Sequence, residues 1–153
     1  MTKLFAVLVA ALIATTSWAS ADEQKIGNLV LTHAWARATP AGAKTGAAYI
    51  RIENTADAPD QLISVTSEIA AVTEIHEMTM TDHMMTMKPA GTIEIPPNGA
   101  VEFKPHGLHV MLMGLKKPLI EGDTFSVTLT FANAGKADVQ VVVGKVDDMG
   151  QQH

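Results

Sequence analysis

Seven of the chain's nine methionines lie between Met78 and Met113, with His76 just before them and His83, His106 and His109 among them. In Leu108-His109-Val110-Met111-Leu112-Met113, a strand would project His109, Met111 and Met113 to one face. Leu108, Val110 and Leu112 would then point to the other face, which can bury in a core. Upstream, His76, Met78 and Met80 share one face of a second strand, opposite Ile75. A hairpin-like reversal through Thr81-Asp82-His83 leads into Met84-Met85-Thr86-Met87. Packing alone does not explain imidazoles and thioethers segregated in this way. Together they select Cu(I) over zinc, calcium or magnesium, which prefer harder or thiolate ligands. Two imidazoles and two thioethers give a four-coordinate site without a charged ligand. Such a site binds Cu(I) firmly yet yields it to a thiolate acceptor.

The elements that must position these residues read as all β. Runs rich in Val, Ile, Thr and Leu are separated by clusters of Gly, Pro, Asn and Asp. Strands are expected at Leu29–Ala36, Gly46–Glu53, Gln61–Thr66, Ala71–Met80, Met84–Pro89, Ala100–Phe103, Leu108–Met113, Thr124–Ala132 and Val139–Val146. The segments 54–59, 96–99 and 132–135 read as turns. Short strands at this spacing, with no long helical period, predict a single-domain β-sandwich.

The N-terminus is read as a secretory signal peptide, residues 1–21. Lys3 supplies a positive start, Leu4 to Ala14 is an apolar run, and Ala19-Ser20-Ala21 is a small-x-small cleavage pattern. The apolar run is too short to span a bilayer, and no second one is long enough. The mature domain is expected at residues 22–146, followed by a short polar tail, 147–153. Loss of Lys3 takes the formal net charge from −5 to −6, which argues against nucleic acid as a partner.

The chain has no Cys. Disulfides, thiol catalysis, cysteine zinc sites, a cysteine-linked lipid and the thiolate-dependent blue-copper and CuA centres are thereby excluded. The fold must rest on its hydrophobic core, which is feasible at this length.

The order His76, ten residues, Met87, twenty-one residues, His109, one residue, Met111 resembles the H-x10-M-x21-H-x-M motif of the PCuAC family of periplasmic copper chaperones. Flanking text agrees: Ala34-Trp35-Ala36-Arg37-Ala38-Thr39-Pro40, Gly46-Ala47-Ala48-Tyr49, His76-Glu77-Met78 and Met111-Leu112-Met113-Gly114-Leu115. The resemblance spans about Leu29 to Val143. It implies a cupredoxin-like Greek-key β-sandwich and a surface Cu(I) site made by His76, Met87, His109 and Met111. It further implies a soluble periplasmic protein that delivers copper to a Sco-type thiol protein or to the CuA subunit of cytochrome c oxidase. Some relatives extend into a His- and Met-rich tail. This chain ends with only Met149 and His153 there, which argues against a strong second site.

Taken singly, Met78, Met80, Met84, Met85 and Met113 read as packing methionines, since Met commonly fills gaps. His33, His83, His106 and His153 read as surface residues, with His83 an alternative ligand because it lies within the Met cluster. Trp35 and Tyr49 read as core or sheet-face aromatics. A Met-rich interaction module and a copper storage or resistance protein are the competing functions. No enzyme is expected: carboxylates are scattered, no Ser-His-Asp set stands out, and a copper polysaccharide oxidase would need His where Asp22 begins the mature chain.

Overall fold

The structure is a computed structural model that describes residues 23–145. The expected signal peptide, Asp22, Val146 and the polar tail with Met149 and His153 lie outside those residues. Eleven strands follow in chain order: β1 (Glu23–Ile26), β2 (Leu29–Arg37), β3 (Thr45–Asn54), β4 (Asp60–Thr66), β5 (Ala70–Thr81), β6 (Met84–Pro89), β7 (Ile93–Ile95), β8 (Ala100–Glu102), β9 (Leu108–Leu115), β10 (Thr124–Phe131) and β11 (Gly135–Gly144). Among the described residues there is no helix, and so none long and apolar enough to cross a membrane.

The strands hydrogen-bond in the order β6-β5-β9-β3-β2-β11-β10-β4-β7, with β1 added to β2 and β8 to β3. Every pairing is antiparallel except that of β11 with β2. The continuous sheet turns back on itself. Ile63 and Val65 of β4 line a groove with Thr73 and Ile75 of β5, although these strands are far apart in the pairing order.

Period-two alternation drives this closure. In β11, Ala137, Val139, Val141 and Val143 are buried while Lys136, Asp138, Gln140 and Val142 face out. In β10, Phe125, Val127, Leu129 and Phe131 do the same. Across the interior, Ile52, Ile75, Val110 and Leu112 come from β3, β5 and β9. Each such side chain contributes about 1.5–3 kcal/mol when removed from water.

Four polar side chains are buried among the described residues: Asn54, Asp60, His76 and His109. The first two are structural. Asn54 donates to the Ala58 and Ile95 carbonyls and accepts from the Ala56 N–H. Asp60 accepts from the backbone N–H groups of Gln61, Asn133 and Ala134, tying the start of β4 to the β10–β11 turn. The two histidines have no such role in joining turns.

The expected strands are all present, with three differences. β1 was not expected because Glu23-Gln24-Lys25 is polar and mostly exposed; it forms by pairing with β2. β7 is three residues long, too short for its alternation to register. β11 begins at Gly135, not Val139, because its first turn places only Ala137 inward and reads as polar.

Candidate metal centre

β6, β5 and β9 lie side by side at one edge of the sheet, and their register assembles the centre. His76 on β5 stands directly opposite His109 on β9. Their rings lie 5.9 Å apart between centroids, tilted by 57°. The neighbouring pair, Ile75 opposite Val110, is buried in the core and anchors both strands. Same-face positions then follow at steps of two. Glu74 lies opposite Met111, Met78 opposite Met87 and Met80 opposite Met85.

The β5–β6 register is set by a two-residue turn. Thr81 pairs with Met84, and Asp82 and His83 between them have φ of 49° and 64°. Positive φ at both central residues is the type I′ signature, whose twist matches that of the flanking strands. A slip of one residue would turn Met87 to the opposite face.

Met87 reaches across β5, and its sulfur lies 3.2 Å from His109 Nε2. His109 Nδ1 lies 3.1 Å from the Gly107 carbonyl. That same carbonyl accepts the Met78 N–H at 3.2 Å, so the turn before β9 fixes both the ring and the adjoining strand. With the His109 proton on Nδ1, the Nε2 lone pair faces the thioether. His76 Nε2 lies 2.9 Å from a Glu74 carboxylate oxygen, whereas its Nδ1 is buried without a hydrogen-bond partner.

Of the four residues expected from the sequence, His76, Met87 and His109 are joined by these contacts. Met111 is half-buried on the His109 face of β9, about 6.8 Å further along the strand. His76 and His109 are 8% and 5% exposed, against 45% for Met87. The centre is therefore rooted in the sandwich and opens on its methionine side. Met80, Met84 and Met85 continue outward along the hairpin, all exposed. His83 is at the exposed hairpin tip, and His106 is exposed in the turn before β9.

Glu74 was not singled out from the sequence. Its signal was its position two residues before His76, on the same face of an expected strand. Among the described residues, no three His, Cys, Asp or Glu side chains form a metal-holding group. A metal held here must draw on the thioethers, which favours a soft ion.

The family model described as "Putative lipoprotein LpqE-like" matches residues 29–143. A protein of Leifsonia xyli subsp. xyli (strain CTCB07), "Putative lipoprotein Lxx21020", is 34% identical over 114 residues, covering 74% of this chain and 68% of that protein. The copper-bound PCuAC domain from PmoF2 is similar in structure, with a TM-score of 0.69 and 28% identity over 80% of this chain and 97% of that one. The apo PmoF2 PCuAC domain gives 0.68 and 30%, covering 83% and 98%. Cu(I)-DR1885 from Deinococcus radiodurans gives 0.58 and 30%, covering 87% of each chain.

Proposed function

The chain belongs to the LpqE-like family and to the PCuAC family of domains, and from that premise we propose that it carries one Cu(I) ion on His76, Met87, His109 and Met111 and hands it to another protein. The observation that carries this reading is the 3.2 Å approach of the Met87 sulfur to His109 Nε2, with His76 directly across the strand pair. An imidazole nitrogen and a thioether sulfur placed together, one buried and one half-exposed, suit a soft monovalent ion that must also leave. The copper-bound PmoF2 domain and Cu(I)-DR1885 support the choice of metal.

The role is transport rather than catalysis. A single site of neutral ligands at a sheet edge favours exchange, whereas storage gains from many ions per chain. The acceptor is a Sco-type thiol protein or the CuA subunit of cytochrome c oxidase, where thiolates outcompete thioethers for Cu(I). The chain is exported and works in the periplasm, with residues 1–21 as leader and 22–146 as the copper domain; the lipoprotein name of its relative supports export.

Transfer tests the reading. Cu(I)-loaded protein is mixed with an acceptor carrying a reduced pair of cysteines, and the two are separated and assayed for copper. Copper found on the acceptor within minutes supports a carrier. Copper retained by the donor under excess acceptor would instead indicate storage.

A further inference from the structure

Each histidine in the centre has one ring nitrogen engaged and one left over, but not the same one. His109 is held through Nδ1 by the Gly107 carbonyl, leaving Nε2 toward Met87. His76 is held through Nε2 by Glu74 at 2.9 Å, leaving Nδ1 buried and without a partner. With a carboxylate oxygen as its partner, Nε2 is the donating nitrogen of a neutral His76 ring, and Nδ1 is the nitrogen left to accept. A buried acceptor with no donor is destabilising, and native structures rarely retain one without a use. Metal-binding histidines characteristically give their second ring N–H to a carboxylate or a backbone carbonyl. Both anchors are present here.

From this we infer that Glu74 is the positioning residue of the copper site, holding His76 so that it binds Cu(I) through Nδ1 while His109 binds through Nε2. This rests on the copper-carrier reading above. Glu74 also stands directly opposite Met111, a second proposed ligand, in the β5–β9 register. Four neutral ligands leave the charge of Cu(I) uncompensated. A half-exposed carboxylate bonded to one of them supplies a nearby negative charge without entering the ligand set. Because Glu74 is a surface residue of β5 with no part in the core, its replacement leaves the fold intact.

Ring-nitrogen NMR on uniformly 15N-labelled protein, with Cu(I) added under reducing conditions, tests the assignment. In the empty protein, His76 should carry its proton on Nε2. On loading, the His76 Nδ1 and His109 Nε2 resonances should shift, while His76 Nε2 keeps its proton. A chelator competition then compares Glu74→Gln, which keeps an acceptor oxygen but no charge, with Glu74→Ala, which keeps neither. Cu(I) affinity should fall by roughly tenfold for Glu74→Gln and up to about a hundredfold for Glu74→Ala, the range typical of such anchoring groups. If the parent binds one equivalent but His76 Nε2 loses its proton and shifts, the inference is overturned and the carrier reading stands. Equal affinity in Glu74→Ala and parent would overturn it in the same way. A parent that holds no Cu(I) overturns both.

Discussion

The sulfur of Met87 lies 3.2 Å from Nε2 of His109, although twenty-one residues, including the two strands β7 and β8, separate them in the chain. The contact exists because β5 lies between β6 and β9, and because a two-residue turn sets the β5–β6 register. Met87 is 45% exposed, so its thioether is not required for the core.

That separation of roles can be tested with Met87→Leu, which conserves volume and removes the sulfur. Stability should change by no more than about 0.5 kcal/mol, as expected for an exposed position. Cu(I) affinity should fall at least tenfold. Denaturant unfolding and chelator competition on the same preparation check both; a loss of stability without a loss of affinity would make Met87 a packing residue.

Acid should loosen the ion. An imidazole must be neutral to ligate, so protons compete with Cu(I) at His76 and His109. Affinity should be greatest at about pH 8 and decline as the solution is acidified toward about pH 5. Competition titrations at a series of pH values measure this, and an affinity flat down to about pH 5 would contradict ligation by two histidines.

The single tyrosine offers an independent check on the fold. Tyr49 stacks on Trp35 with ring centroids 4.6 Å apart, and burial raises its pKa above the usual 10.0 while the nearby Arg37 charge pulls the other way. A proton held more tightly in the folded state contributes stability that is full below the unfolded-state pKa and is lost as pH rises through the folded-state pKa. Phenolate absorbance should therefore appear above pH 10 in the native protein and at lower pH in denaturant. Coincident titration curves would contradict the buried placement.

Asp60 accepts from three backbone N–H groups, one on β4 and two in the β10–β11 turn, while almost wholly buried. Asp60→Ala leaves those donors unsatisfied and should destabilise by about 2–4 kcal/mol. Thermal unfolding measures it, and copper affinity below the transition should be unchanged because Asp60 is on β4, away from the β5–β6–β9 edge.

Much of this was legible in the residues themselves. Leu108 to Met113 alternates so plainly that the inward Val110 and Leu112 and the opposite His109 and Met111 could be placed without coordinates. The spacing of His76, Met87, His109 and Met111 marked the candidate site. What could not be read was pairing. No local pattern says that His76 faces His109 or that Met78 faces Met87, because register depends on which strands become neighbours. Glu74 was missed for a different reason: it contacts His76 within one strand, but an acidic residue on an exposed strand face is ordinary until a histidine nitrogen is found 2.9 Å away. β1 and β7 were missed because short or polar edge strands exist by pairing rather than by their own propensity.

The central claim is that one Cu(I) binds at this cluster, and a competition titration against a chromophoric chelator under reducing conditions tests it most directly. The parent should take up one equivalent, and a His109→Ala/Met111→Ala variant, still folded by circular dichroism, should take up none. A variant that holds Cu(I) as well as the parent would contradict the assignment and move the site outward to Met78, Met80, His83 and Met85.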